Sequence, residues 1–366
     1  MLETVLRRVN RLRSARGQVE FGARNVLCLD DSQGQVEGSL ILLFEPGSSR
    51  PAWIAKAAPL ETARRRGGRP LYQIEYENLE ALEARGLNRE RRTTPAALGL
   101  WDQDGLLITL QSALPGPLLK NLPGGQPFGT RRLDATVDAV FDWWLGFQRC
   151  FPPQRIRLDG ELFEREVARP IELLQQRFAL DPQERAFLAA WLRRAALRGR
   201  ELPLTVEHGD FCPANIILRD GAAAVFDWEF PLEPRLPLFD LFHFFAALRY
   251  PFRGWRGESS HYDSFLEVYW GDNPVRRALR RTLRRCCAEL GIDLDLAGDL
   301  FVMSLLRIAN LKFEALLEIH RPAAAAAGAG LWQAHGGADK DVPFARIEQG
   351  VFLNLRQLVR RGRPSF

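Results

Sequence analysis

Short apolar runs separated by turn residues dominate the first third of the chain. Three strands are predicted first, over residues 26–29, 39–44 and 51–57. Clusters of Asp, Ser, Gly and Pro lie between them and predict turns. Apolar and charged residues then recur at helical spacing over 72–84, and two more strands are predicted near 97–100 and 106–110. The pattern indicates a twisted antiparallel sheet with one inserted helix.

The rest of the chain has a mainly helical pattern. A segment rich in proline and glycine, 111–117, predicts a hinge, so the domains are expected to be 1–112 and 113–366. Seven helices are predicted beyond it, over residues 134–149, 161–178, 182–197, 264–270, 274–290, 296–320 and 344–361. Short strands are expected around Ile216 and over 224–226, and the alanine-rich and glycine-rich stretch 321–337 predicts a linker or loop.

Composition narrows the class of protein. Of the 366 residues, 46% are hydrophobic and 26% charged, which is typical of a globular protein. Lys and Arg exceed Asp and Glu by 50 to 45, and a net charge of +5 suits an anionic cofactor better than it suits nucleic acid. The arginine runs at 64–66 and 89–92 are expected to be solvated loops, with a surface for an acidic partner as the alternative.

The cysteines and the N-terminal residues indicate the cellular compartment. Five cysteines without CxxC spacing indicate neither a disulfide framework nor a zinc site, which favours a reduced compartment. The first residues are charged and lack the apolar core of a signal peptide, and no apolar run reaches the ~18 residues of a membrane span. A cytoplasmic protein without membrane contact is therefore expected, and the oligomeric state is left open.

The chemistry is concentrated in one stretch, 206–229. Asp210 and Asn215 lie five positions apart, and Asp227 follows twelve positions later behind an apolar strand. An acid, an amide and a second acid at this spacing suit phosphoryl transfer. Asp210 can take the proton of a substrate hydroxyl, and Asn215 and Asp227 offer the oxygen ligands that Mg²⁺ prefers. The alternative for Asp210 is a turn residue that caps backbone amides, since Gly-Asp is common turn chemistry.

The string HGD, four residues, N, and then an apolar segment ending in Asp-Trp resembles the family of aminoglycoside phosphotransferases and choline-kinase-like enzymes, which are similar to protein kinases. The resemblance implies an α+β, bilobal, protein-kinase-like fold. Its small lobe would be an antiparallel sheet with one helix that binds nucleotide, and its larger, mostly helical lobe would carry catalysis and bind the acceptor. It also implies ATP and Mg²⁺ as cofactors and a small-molecule hydroxyl compound as acceptor.

Further residues gain roles from this resemblance. Lys56, a charge inside an apolar strand, would hold the α- and β-phosphates and pair with a helix glutamate. Glu77 is the preferred partner, with Glu75 and Glu80 as rivals. An edge-strand lysine that blocks aggregation is the alternative for Lys56. The hinge residues Gln111 and Ala113 would contact the nucleotide.

Neighbouring polar residues are expected to shape the loop. The resemblance implies a structural role for His208, with proton transfer as its alternative. It also implies that Asp240 accepts backbone amides of the catalytic loop. Gly34 and Gly38 mark a phosphate-covering loop that lacks the GxGxxG motif. Glu229 would either contact metal-bound water or cap the next turn.

The sequence therefore predicts an ATP-dependent kinase for a hydroxyl of a small molecule, with a sugar, amino sugar or amino alcohol as the expected classes. A catalytically silent kinase-like scaffold that binds nucleotide or a protein partner is the alternative. Residues 161–175 and 253–270 are expected to form the acceptor pocket, but they indicate no particular ligand. Shared fold and loop do not imply antibiotic resistance.

Overall fold

The computed structural model describes residues 1–30, 38–61, 63, 65–88, 92–121, 130–177, 180–248, 261–327, 358–361, 363, 364 and 366. The small lobe consists of α1 (Leu2–Ala15), β1 (Val26–Asp30), β2 (Ser39–Phe44), β3 (Pro51–Pro59), a ribbon of β4 (Arg65–Arg66) and β5 (Arg69–Pro70), α2 (Leu71–Ala84), β6 (Ala97–Gln103) and β7 (Leu106–Ser112). Strands β1, β2, β3, β7 and β6 pair in that order, and every neighbouring pair is antiparallel.

Helix α1 was not predicted from the sequence. Its apolar residues Val5 and Val9 are buried against one face of the sheet, together with Trp53 and other sheet residues. Arg13 is also buried, because its guanidinium packs 4.0 Å from the ring of Phe21 and makes two hydrogen bonds, of 2.6 and 2.8 Å, to the Glu45 carboxylate. The small lobe thus has two helices where the sequence indicated one.

The remaining elements form the helical lobe. They are α3 (Thr130–Cys150), β8 (Gln154–Arg157), α4 (Gly160–Phe163), a π-helical turn (Glu164–Ala168), α5 (Arg169–Arg177), α6 (Pro182–Arg194), β9 (Glu201–Val206), β10 (Ile216–Arg219), β11 (Ala222–Val225), β12 (Pro234–Arg235), α7 (Phe239–Ala247), α8 (His261–Trp270), α9 (Pro274–Leu290) and α10 (Ala297–Ala327). Single 3₁₀ turns lie at Ala23–Asn25, Leu119–Asn121 and Leu294–Leu296.

The described residues form two hydrophobic cores. The smaller lies between α1 and the five-stranded sheet, and the larger surrounds α3, where Trp143, Trp144, Phe147 and Phe151 are buried. Leu79 and Leu82 of α2 also pack into the larger core, so α2 connects the two lobes. Burial of such aromatic side chains is among the largest single contributions to a core.

This architecture confirms the predicted α+β, bilobal, kinase-like fold. The boundary between 112 and 113 stays a prediction. Residues 321–327 belong to α10, which contradicts the linker predicted there, and 328–337 lie outside the described residues, as does most of the predicted helix 344–361. None of the helices in the described part of the chain combines the length and apolarity that a membrane crossing requires.

Candidate active site

The loop between β9 and β10 carries Asp210 and is fixed by His208. The His208 ring is buried, with Nε2 3.0 Å from the Phe226 carbonyl oxygen and Nδ1 3.2 Å from the Asp210 backbone nitrogen. With the proton on Nε2, the ring donates to Phe226 and accepts from Asp210. Both nitrogens therefore serve the loop itself, in agreement with the structural role predicted for His208.

Asp240, at the start of α7, also fixes this loop. Its carboxylate accepts hydrogen bonds from the backbone N–H of His208 at 2.7 Å and of Gly209 at 3.0 Å, and from the indole of Trp144 at 3.2 Å. The predicted amide-accepting role of Asp240 is confirmed. Gly209 has φ +86°, and a Cβ there would lie 2.4 Å from the Phe230 ring, so only glycine fits this turn.

Asp210 is hydrogen-bonded through both carboxylate oxygens. Oδ1 lies 2.9 Å from Nε2 of His243, and Oδ2 accepts from Nδ2 of Asn215 at 2.8 Å. Burial alone would raise the pKa of Asp210, but the hydrogen bond and charge of His243 and the hydrogen bond of the Asn215 amide lower it. Asp210 is thus held ionised, with its side chain 42% exposed, and can accept a proton.

His243 was missed by sequence reasoning. It lies on α7 within the run Phe242–Phe245, which is typical of buried packing, and its ring stacks on Phe239 with a centroid separation of 5.7 Å. A single polar residue in a run of phenylalanines is the signal that could have drawn attention to it.

Lys56, on β3, is the centre of a cluster of charged side chains. Its Nζ lies 2.7 Å from Oε2 of Glu75 and 3.1 Å from Oδ1 of Asp227, and 3.9 Å from Oε1 of Glu229. Burial would lower the pKa of Lys56, but these three carboxylates raise it well above its ordinary value. The ammonium therefore stays charged in a buried position.

The prediction that Glu77 pairs with Lys56 is wrong, because Glu75 takes that place. The buried residues of α2 are 71, 74, 75, 78, 79 and 82, a spacing that turns Glu75 towards the sheet and Glu77 towards solvent. Glu77 instead pairs with Arg69 and accepts from Gln73 at 2.9 Å, and the rival Glu80 accepts from Tyr76. Burial raises the pKa of Glu75, against the opposing charge of Lys56.

Asp227 follows β11 and has a left-handed backbone, with φ +70°. Oxygen atoms of Glu75, Asp227 and Glu229 all lie within 4.8 Å of one another, a donor set that fits a divalent cation. Asn78, on α2, fixes this segment because its Nδ2 donates to the carbonyl oxygens of Trp228 at 2.7 Å and Phe230 at 2.8 Å.

Asn215 lies beside both acids but contacts only one through its side chain. Its Nδ2 donates to the Asp210 carboxylate, while its backbone oxygen accepts from the N–H of Phe226, the residue before Asp227. The amide nitrogen thus faces Asp210, which leaves the amide oxygen as the group that could meet a cation. Its role as a magnesium ligand stays a prediction.

A cavity of about 390 Å³ opens beside the hinge. It is lined by residues that include Ile54, Pro95, Gln111, Leu114 and Phe226. The Gln111 side chain lies close enough to influence the Glu75 carboxyl, whereas the backbone N–H of Ala113 donates to the Ala52 oxygen at 2.9 Å and is not available to a ligand. The nucleotide contacts predicted for Gln111 and Ala113 stay predictions, and Gly34 lies outside the described residues.

A second cavity, of about 420 Å³, lies between α5, α7 and α10. Phe230 and Phe239 form part of its wall, and these rings abut Gly209 and His243 respectively. Residues 161–175, expected to form the acceptor pocket, contribute Arg165, Glu166, Pro170 and Leu173, whereas 253–260 lie outside the described residues.

Comparison with known proteins places the chain in a family. The sequence profile of the phosphotransferase enzyme family matches residues 44–280, nearly two thirds of the chain. No protein of curated function matches the chain at a significant level.

Several solved structures are similar to the chain. The aminoglycoside phosphotransferase APH(3'')-Id from Streptomyces rimosus, in complex with ADP and streptomycin, has 16% identity and a TM-score of 0.45 over 82% of this chain and 97% of its own. A candidate fructosamine-3-kinase from Thermobifida fusca has 17% identity and a TM-score of 0.42 over 83% and 98%.

The matched segment runs from the end of β2 to α9, so it contains Lys56, the catalytic loop and Asp227. The predicted family is confirmed: the chain belongs to the phosphotransferase enzyme family.

Proposed function

We propose that this protein is a kinase that transfers the γ-phosphate of ATP to a hydroxyl group of a small molecule, with a sugar, amino sugar or amino alcohol as the acceptor classes. The observation that carries the proposal is Asp210, a carboxylate that His243 and Asn215 hold by hydrogen bonds while its side chain stays 42% exposed. A hydroxyl that enters from the cavity beside Phe239 would meet the base, and a nucleotide in the cavity beside the hinge would reach Lys56.

Each side chain has its own proposed role in the phosphoryl transfer. Asp210 orients the hydroxyl and accepts its proton as the oxygen attacks the γ-phosphorus and the bond to ADP breaks. Lys56, held by Glu75, would bind phosphate oxygens of the nucleotide. Catalysis then depends mainly on positioning and electrostatics.

A magnesium ion fits the oxygen donors beside Lys56. Asp227 and Asn215 are the residues proposed to hold it, and Glu229 lies close enough to bind directly or through water. Such an ion, when bound, neutralises charge that builds up on the phosphate oxygens.

The test is a measurement of Mg²⁺-dependent ATP consumption with a panel of sugars, amino sugars and amino alcohols, with the phosphorylated product identified by ³¹P NMR. Asp210→Ala is expected to bind nucleotide almost as the wild type does and to lose turnover. Retained turnover in this variant would refute the assignment of Asp210. Nucleotide binding without transfer to any acceptor would favour the catalytically silent scaffold.

A further inference from the structure

The cavity beside Phe239 has an unusual balance of charge. Its described lining contains four arginines and three glutamates, namely Arg66, Arg165, Arg235, Arg307, Glu166, Glu233 and Glu314. An amino-sugar pocket would be expected to offer carboxylates to a cation. Here the arginines outnumber the acids, so the pairing of each charge decides what the cavity can bind.

Each lining carboxylate already has an arginine partner. Glu166 lies 2.8 Å from Nε of Arg165, and Glu233 accepts from Arg235 at 2.6 Å. Glu314 pairs at 3.2 Å with Arg177, which lies outside the cavity wall. A cationic acceptor would have to displace one of these arginines.

Arg307 is the exception among the lining cations. Its guanidinium carbon lies 4.1 Å from the centre of the Phe239 ring, and it makes no hydrogen bond or ion pair with any described residue. It extends from α10, in the interior of the lobe, where the side chain is only partly exposed. Burial lowers its pKa, and the charges of Glu207, Asp240 and Glu166 oppose that shift.

Compensation of buried acids is the simplest other role for Arg307, because Glu207 and Asp240 lie within its electrostatic reach. Both acids, however, take their hydrogen bonds from other groups. Glu207 accepts from the Thr205 hydroxyl at 2.7 Å and from the Asp240 backbone N–H at 2.9 Å, and Asp240 accepts from the catalytic loop. Neither acid hydrogen-bonds Arg307.

A series of contacts connects Arg307 to Asp210. Its guanidinium packs on Phe239, the Phe239 ring stacks on His243, and His243 hydrogen-bonds Asp210. A molecule that contacts Arg307 with one end and Asp210 with the other would span this stack of rings. A cavity of about 420 Å³ is large enough for a molecule of the size of a substituted sugar.

We infer, on the basis of the proposed function, that the acceptor is a small anionic molecule whose carboxylate or phosphate group binds the guanidinium of Arg307 while its hydroxyl faces Asp210. A planar guanidinium matches the two oxygens of such a group. Among the acceptor classes, this favours sugar acids and sugar phosphates over amino sugars and amino alcohols.

The first experiment compares acceptors that share one skeleton and differ in charge. Glucosamine, glucose, glucuronate and glucose 6-phosphate are tested with the full-length wild type and with Arg307→Met. Glucuronate or glucose 6-phosphate is expected to have the highest kcat/KM, and whichever it is distinguishes a carboxylate from a phosphate. Loss of a hydrogen bond to a charged group predicts a KM about 10- to 100-fold higher for that acceptor in Arg307→Met, with kcat and the KM of glucose little changed. A preference for glucosamine would overturn the inference.

The second experiment does not depend on turnover. Binding of inorganic phosphate is measured by calorimetry at constant ionic strength in the wild type, in Arg307→Met and in Arg169→Met. Phosphate is expected to bind the wild type and Arg169→Met alike, because Arg169 is exposed and lies outside the cavity wall, and to bind Arg307→Met at least about tenfold more weakly. Equal binding by the wild type and Arg307→Met, or no binding at all, would contradict the inference even if kinase activity is found.

Two variants distinguish the loss of the Arg307 contact from misfolding and from a general loss of positive charge. Arg307→Lys keeps the charge without the planar fork and is expected to bind phosphate with intermediate affinity. Arg169→Met removes an exposed arginine of α5 outside the cavity and is expected to behave as the wild type. If Arg307 only neutralises Glu207 and Asp240, Arg307→Met lowers the Tm and phosphate binding is unchanged, which would also refute the inference.

Discussion

Two regions of the molecule carry opposite excesses of charge: the cluster around Lys56, proposed as the nucleotide side, and the cavity beside Phe239, proposed as the acceptor side. On the nucleotide side a single cation, Lys56, lies among three carboxylates, those of Glu75, Asp227 and Glu229. On the acceptor side the arginines outnumber the glutamates, and Arg307 has no carboxylate partner among the described residues. The comparison indicates that each side is electrostatically incomplete, and that a divalent cation on one side and an anionic group on the other would complete it.

The largest effect is expected from removal of negative charge on the nucleotide side. Asp227→Asn should reduce turnover by roughly 10³-fold, because one oxygen donor for the cation and one partner of Lys56 are weakened together. The measurement is the dependence of the rate on Mg²⁺ concentration, which should shift to much higher concentrations. A variant with wild-type Mg²⁺ dependence would show that the carboxylate excess has no role in cation binding.

A smaller effect is expected from Glu75→Gln, with Glu77→Gln as its matched control on the same helix. Glu75 is buried at 2.7 Å from Lys56, whereas Glu77 is exposed. Disruption of a buried ion pair costs up to about 3–5 kcal/mol, so Glu75→Gln should lower both the free energy of unfolding and the affinity for nucleotide. Glu77→Gln should change stability by less than about 0.5 kcal/mol. Equal effects in denaturant unfolding would contradict the register of α2.

His243 lies between the two sides, so its removal tests the base alone. The hydrogen bond and charge of His243 lower the pKa of Asp210, and a base with a lowered pKa stays ionised to lower pH. His243→Ala should therefore raise the pKa of Asp210 and move the acidic limb of the pH–rate profile to higher pH. An unchanged acidic limb would show that Asp210 is not the group that limits the rate at low pH.

The smallest effect is expected from Arg235→Gln on the acceptor side. Arg235 is 43% exposed and already paired with Glu233. Pairs of this kind contribute about 0–1 kcal/mol, so KM for an anionic acceptor should rise only a few-fold. A rise as large as that in Arg307→Met would mean that the positive charge acts collectively and not through Arg307.

Much of the fold and of the catalytic loop could be predicted because the signal is local. Helix α9 and strand β2 begin and end where the pattern placed them, and Asp210, Asn215 and Asp227 lie within 18 residues of one another. Helix α1 was missed because its sequence is highly charged. Its apolar positions, such as Val5 and Val9, become informative only against the sheet.

The partner of Lys56 and the charges of the acceptor cavity could be identified only from the three-dimensional structure. Glu75 and Glu77 are both charged residues in the same helix, and the sequence alone did not fix which of them faces β3. The arginines of the acceptor cavity come from four separate segments, between Arg66 and Arg307, so no spacing links them. Arg66, expected in a solvated loop, instead packs on Phe230 and donates to the Glu229 carbonyl oxygen at 2.9 Å.

The most direct test of the central claim follows the γ-phosphate itself. ATP labelled in its γ-phosphate is incubated with Mg²⁺, a panel of hydroxyl compounds and either the wild type or Asp210→Asn, and the label is located by mass spectrometry. The account predicts that the wild type transfers label to an acceptor hydroxyl and that Asp210→Asn, which binds the same nucleotide, transfers it about 10²–10⁴-fold more slowly. Equal transfer by both proteins would contradict it.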